Sequence, residues 1–432
     1  PLIPSPPPGA LPASSASPGA APWPLLIVLA VAVLLPVGRA SELPVAIGAL
    51  AAIVLLAQRR IDWRAPASRL PLILFACYAL PALISCATAV APARTWSTVA
   101  SIVRFLPFAM FATWALRDTR QWKTAIAMIA AVVSLWVIDA YAQMITGYSL
   151  AGAAEAERLS GIFGAGNLKL GPVLAVLSPF VLIAARDALR WRGLALAFVF
   201  LAVPILLAGS RAAWLMYALV CVVVAWREAR SKRTFALALG VAIAIAGVAT
   251  GIALRDSPGF DARIERSLLA LGGTERAVDA ASAGRVSIWR TAIVMWEAHP
   301  LTGVGVRGFR YAYPRYAAPE DTFVDTASDT GASHAHQIVL EVLSETGAIG
   351  LLFWLAGVGF AVRAWLRADG RTRDLAFAPA LALVAMCFPL NTHLAFYSAW
   401  WGLLFWWLLG LYCAALGADG TSVAAPSRRE AG

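Results

Sequence analysis

An all-α polytopic membrane protein is the fold class this sequence predicts, and three observations predict it. Of 432 residues, 60% are hydrophobic and only 14% charged, too little charge to coat a soluble particle of this size. Apolar runs of about 15 to 22 residues recur along the chain, near the length a helix needs to cross about 30 Å of hydrocarbon. Basic residues collect in alternate connections between those runs, as they do in cytoplasmic loops.

Twelve runs can be counted, at 23–38, 43–57, 70–90, 97–116, 124–145, 168–185, 193–208, 212–226, 234–254, 347–366, 375–390 and 396–416. The first two are short enough to form a tight hairpin. Residues 1–22, rich in Pro, Ala and Ser and free of charge, read as a disordered cytoplasmic tail. Residues 23–254 then hold nine spans, 255–346 form one large periplasmic loop, 347–416 hold three more spans, and 417–432 form a second cytoplasmic tail. Nineteen of the 35 Lys and Arg sit in alternate connections, among them Arg59, Arg60, Arg64 and Arg69 after the second run and Arg227, Arg230, Lys232 and Arg233 after the eighth. The other short connections carry only Arg39, Arg94, Arg158, Lys169 and Arg211. Both termini are therefore placed in the cytoplasm, and twelve crossings close consistently. The net charge of +11 is thus a topology signal and not a footprint for nucleic acid. Cys77, Cys86, Cys221, Cys387 and Cys413 all fall in apolar runs, so neither a disulfide framework nor a metal-binding cysteine pair is expected.

A connection of about ninety residues, such as 255–346, is usually functional. Within it, GRVSIWRTAIVMWEA from Gly284 places Arg285, Trp289, Ala292, Ile293 and Trp296 on one helical face, suited to a membrane interface. His299 and Pro300 end that helix. GVGVRG at 303–308 matches a dinucleotide-binding fingerprint, but no βαβ unit surrounds it, and it reads as a turn.

SHAHQIVLEVLSETGAIGLL at 333–352 holds two of the chain's four histidines. A helix starting near Ser333, capped by Ser333 or Thr330 and ending at Gly347, puts His334 and His336 in its first turn. Positions i and i+2 lie about 200° apart on a helix, so the rings would not converge on one metal, and no third ligand stands at a suitable spacing. A helix start disfavours imidazolium, and a neutral ring can accept a proton as a general base. The competing reading makes both rings polar interfacial residues without a role. Arg211, in AGSRAAWL, opens a membrane helix on its outward side, against both the charge bias and the helix dipole. There it would hold an anion such as phosphate, helped by Ser210 and the first-turn amides. Arg285 opens the interfacial helix in the same way. For both arginines, snorkelling to lipid head groups is the alternative. Arg104 and Asp139, inside spans, either pair across helices or line a polar cavity.

Four stretches carry a resemblance: RLSGIFGAGNLKLG at 158–171, GSRAAW at 209–214, GRVSIW at 284–289 followed by HPLTGVGVRGF at 299–309, and the histidine stretch itself. In this order they resemble the O-antigen ligase and polymerase superfamily of bacterial polytopic glycosyltransferases, over about 158–366. The resemblance implies a GT-C-like fold in the inner membrane, a periplasmic active site, and metal-independent, inverting transfer without a cofactor. It also implies an O-antigen donor on undecaprenyl diphosphate and, for the ligases, a lipid A-core acceptor, which completes lipopolysaccharide. Arg211 matches the arginine of a Ser-Arg motif and Arg285 that of a Gly-Arg motif, both associated with the donor diphosphate. His336 matches a histidine usually followed by Asn, where this chain has Gln337. On that reading His336, Arg211 and Arg285 are catalytic, while Ser210, His334 and Arg158 join the two arginines in binding substrate.

Polymerases usually carry two sizeable outward loops and an Arg with Gly eleven positions later; here there is one large loop and no such pair. Protein O-oligosaccharyltransferases often extend into a soluble region after the last span, which makes a ligase the favoured expectation. A flippase or other transporter would show internal repeats and paired ionisable groups near the midplane, whereas the unusual polar residues here gather at one face. The topology is open to direct test: a cysteine at Ser328 should react with an impermeant thiol reagent added from the periplasm, and one at Ser231 should not. Reversed labelling would move the large loop to the wrong side.

Overall fold

The computed structural model describes residues 22–153, 158–229, 231–236, 240, 247, 279 and 282–418. The expected tails, most of the run at 234–254 and most of 255–281 lie outside the described residues.

The helices follow the apolar runs. Trp23–Leu34 (α1) and Glu42–Ala57 (α2) are short and apolar. Pro66–Ile84 (α3) starts on a proline whose missing amide would have been unpaired anyway. The run expected at 97–116 is two helices, Pro92–Ile102 (α4) and Phe105–Ala115 (α5). Near the join, the Arg104 guanidinium donates to the Ser101 carbonyl and lies over the Phe105 ring. Asp139 does not pair with it: in Thr119–Thr146 (α6), Asp139 Oδ1 instead accepts from the Leu150 amide at 2.7 Å, fixing a small hairpin after the helix.

Leu170–Leu207 (α7) is 38 residues long but breaks at Arg190, with φ 56 and ψ −137. In a continuous helix Ala185 and Gly193 would lie about 12 Å apart, yet a side chain at Gly193 would overlap the Ala185 carbonyl. The chain therefore doubles back, which accounts for the two separate runs at 168–185 and 193–208. Arg211–Glu228 (α8), Arg285–Ala298 (α9), Phe309–Tyr316 (α10), Ile338–Arg367 (α11), Gly370–Met386 (α12) and Ala399–Gly417 (α13) complete the described helices. Among the described residues, six helical segments are long and apolar enough to cross a membrane. The chain is a polytopic membrane protein, and its described residues are all-α apart from one hairpin of two-residue strands. Its core centres on α13, where Trp406 and Trp407 are fully buried and Trp407 Nε1 donates to the Val28 carbonyl at 2.9 Å.

Helix α9 has the predicted ends but buries a different face. Ile288, Thr291, Ala292 and Met295 turn inward, while Ile293 is exposed and Trp289 and Trp296 are half-buried. Both stripes have helical spacing; the neighbours α10 and α11 select the one with the smaller side chains.

Gly347, with φ 66 and ψ −165, breaks α11 into a polar first segment and an apolar second one. The break frees backbone groups, and the segment after α9 takes them up. Val304 and Gly305 amides donate to the Ser344 and Glu345 carbonyls at 2.8 and 3.0 Å. Ala348 and Ile349 amides donate to the Pro300 and Leu301 carbonyls at 2.8 and 3.2 Å. On its other side this strap accepts from the Val90 amide at Val304 O (2.9 Å) and from Thr95 Oγ1 at Val306 O (3.1 Å). GVGVRG is therefore a turn wedged between α11 and the α3–α4 junction, and its glycines allow the backbones to touch. A Cβ at Gly347 would overlap the Leu301 carbonyl, and one at Gly303 would overlap the Glu345 backbone. Gly347→Ala should thus cost at least about 3 kcal/mol, from strain at positive φ plus overlap with backbone that cannot yield. Thermal melting in detergent should show a large loss for that variant and almost none for Gly359→Ala, whose Cβ would meet nothing within 4 Å.

Candidate active site

Two helix starts deliver two guanidinium groups to one place. Before α8, Gly209 (φ 68) turns the chain and Ser210 caps the helix, its Oγ accepting from the Ala213 amide at 3.3 Å. Arg211 is the first residue after that cap. Before α9, Ala283 (φ 60) and Gly284 (φ 76) make a left-handed turn, and Asp279 Oδ1 accepts from the Val286 and Ser287 amides at 3.0 and 3.3 Å. Arg285 follows, its guanidinium Nη1 donating to the Ser282 carbonyl at 3.2 Å. Arg158 is brought alongside because the next residue, Leu159, donates its amide to Leu207 O at the end of α7, at 3.2 Å. Arg158, Ser210, Arg211 and Arg285 line one cavity of about 190 Å³, with Leu168 and His393 among its other walls. Burial, and then the neighbouring Arg211, push Arg285 down to about 10. It keeps its charge at neutral pH, and an anion between the two cations would relieve the strain on both.

The histidine stretch departs from expectation. Helix α11 begins at Ile338, capped by Gln337, whose Oε1 accepts from the Leu340 amide at 2.6 Å. His334 and His336 therefore lie in the loop before the helix and not in its first turn, so the helix dipole does not explain their protonation. Free of helical geometry, the rings come together, with centroids 3.9 Å apart. His336 holds a left-handed backbone, φ 54, which a non-glycine residue adopts at a cost of about 1–3 kcal/mol. Its Nδ1 lies 2.6 Å from the Thr392 carbonyl. A carbonyl only accepts, so Nδ1 carries the proton and Nε2 is left with its lone pair. The loop that supplies Thr392 is itself anchored. Asn391 Nδ2 donates to Met386 O at 2.7 Å, and the buried Glu341 Oε1 of α11 accepts from the Phe396 amide at 2.8 Å. Among the described residues no three His, Cys, Asp or Glu side chains gather as a metal site would require.

Residues 170–355 match the family described as O-antigen ligase. Over that stretch the chain is similar to the O-antigen ligase family. Comparison with curated proteins finds no match. The family is glycosyltransferase-like and serves ligase- or polymerase-type steps of glycan assembly on lipid-linked substrates. The part matching the O-antigen ligase family contains Ser210, Arg211, Arg285, His334 and His336, and leaves out Arg158 and His393.

His393 is the residue that sequence reading missed. Its ring lines the cavity, with Nδ1 3.5 Å from Ser210 Oγ. The signal was available: it is the fourth of four histidines, in the polar triplet Asn391-Thr392-His393 between two apolar runs. Of the other three, His299 has an ordinary partner, its Nε2 2.9 Å from the Tyr316 hydroxyl. His334 is buried with Nδ1 2.9 Å from Ser333 Oγ and its Nε2 unpaired among the described residues. Neither His334 nor His336 is among the walls of the arginine cavity. All three clustered rings are held neutral. Burial and then His336 lower His334 well below the ordinary range, and burial, partly offset by the Thr392 carbonyl, lowers His336. Burial, then Arg285, His336 and Arg158, push His393 down to about 3.

Proposed function

We propose that this protein is an O-antigen ligase, transferring a glycan from undecaprenyl diphosphate to the lipid A-core oligosaccharide at the periplasmic face of the bacterial inner membrane, with both termini cytoplasmic. The observation that carries the reading is the convergence of Arg211, Arg285 and Arg158 on one small cavity, which suits a diphosphate better than scattered lipid head groups. The acceptor hydroxyl oxygen attacks the anomeric carbon while the bond from that carbon to the diphosphate oxygen breaks. The bonding pair leaves with the diphosphate, and Arg211 and Arg285 take up the growing charge. The hydroxyl proton passes to His336 Nε2, the nitrogen freed by the Thr392 contact. Attack opposite the leaving group inverts the anomeric centre. His334 orders the His336 ring, and Ser210 and Arg158 complete the donor site.

Purified full-length protein, given undecaprenyl-diphosphate-linked glycan and lipid A core in the presence of a chelator, should yield the joined product. Elongated lipid-linked glycan instead would make it a polymerase, and donor moved unchanged across a vesicle membrane would make it a transporter. Arg285→Lys should be impaired almost as badly as Arg285→Ala, because lysine keeps the charge but loses the planar fork. Wild-type transfer by Arg211→Ala and Arg285→Ala together would return both side chains to lipid head groups.

His336→Ala should lower the transfer rate by about 10² to 10⁴ while leaving donor binding intact. The sign of the pH dependence follows from the lowered value. His336 is neutral and competent above its pKa and loses activity as pH falls through it, so the acid limb should lie below the ordinary 6.5. A wild-type rate for His336→Ala would place the base elsewhere.

A further inference from the structure

The donor site proposed above accounts for three guanidinium groups but not for the ring between them. His393 lines the same cavity as Arg158, Arg211 and Arg285, and its Nδ1 faces Ser210 Oγ at 3.5 Å. The Ser210 oxygen already accepts from the Ala213 amide, so its hydroxyl hydrogen is free to point at the ring. A hydroxyl that donates to Nδ1 selects the tautomer with hydrogen on Nε2. Here His393 is the opposite of His336. The Thr392 carbonyl leaves His336 a lone pair at Nε2, whereas a hydrogen bond donated by Ser210 gives His393 an N–H there.

We propose that His393 is a substrate-binding residue whose Nε2–H donates to a phosphate oxygen of the bound diphosphate, beside Arg211 and Arg285. This rests on the donor-site reading above. The contact is to the diphosphate itself and not to its hydrocarbon or its sugar, because the polar and charged side chains that line the cavity with the ring are Arg158, Ser210, Arg211 and Arg285, with Leu168 the one larger apolar wall. A neutral N–H adds a directional bond without a further positive charge, which would be repelled by the three already present. Asn391 Oδ1 accepts from the His393 amide at 3.1 Å and so sets the turn that aims the ring.

The test uses the full-length protein in detergent, titrated with a short-chain prenyl diphosphate and, separately, with inorganic pyrophosphate. His393→Ala should weaken both by about tenfold or more, the size expected for a hydrogen bond to a charged group. His393→Gln places an amide N–H near the position of Nε2 and should stay within a few-fold of wild type in binding and in glycan-transfer kcat, although it can neither take nor give a proton in the reaction. Weakening of the prenyl diphosphate alone would make the contact one to lipid and overturn the proposal. So would intact binding by His393→Ala, or a His393→Gln variant that binds normally but fails in kcat, which would make the ring a proton carrier. Arg285→Ala serves as the reference. If it weakens both probes and His393→Ala weakens neither, only this inference falls. If wild type binds neither probe, the diphosphate reading of the cavity falls and takes this one with it.

Discussion

The constraint on which the rest depends is the break at Gly347. A helix inside a membrane satisfies every backbone group within itself, so an interruption must be repaired from outside or it costs several kcal/mol per group. Here the strap at 300–306 makes the repair, giving two amides and taking two. The same strap is gripped by Ser85, Val90 and Thr95 near the start of α4. Three consequences follow from one exchange of hydrogen bonds. The end of α9 is fixed against the bundle, the first segment of α11 is held apart from the apolar second, and Glu341 on that segment reaches the loop bearing Thr392 and His393. Arg285, His336 and His393, far apart in the chain, thus have a common frame.

The electrostatics of the site divide its labour. Permanent charge is left to guanidinium groups, which remain cationic even when half-buried. The imidazoles near them are kept neutral, by burial and by those same cations. For His336 the Thr392 carbonyl decides which nitrogen carries the proton, a cheap local device that leaves the other nitrogen with its lone pair.

Much of this was legible in the sequence, and for physical reasons. Apolar length marked the helices, since the bilayer imposes it, and Gly284 and His299 marked the ends of α9. The two arginines stood out because each sits at a helix start, where a cation is disfavoured and needs a reason. What could not be read depended on contacts between distant segments. Helical periodicity offered two stripes on α9, and only α10 and α11 decide between them. The pattern after Ser333 looked helical, but Gln337 takes the cap and His336 adopts a positive φ that is uncommon outside glycine. Gln337 itself shows why an amide suits that position: its carbonyl oxygen stops the chain from winding a turn earlier. His393 lay in a short polar triplet that looked like an ordinary connection, and nothing local says that it folds against Ser210.

The closeness of the His334 and His336 rings, 3.9 Å between centroids, bears on how the protein would be studied. Two imidazolium ions cannot share that space, so the pair holds one proton far more readily than two, and its titration belongs to both residues jointly. A kinetic pKa measured on the intact protein is then a property of the couple. Removing His334 would free its neighbour to titrate alone, and the change in the curve would report the strength of their interaction and not the loss of a second base.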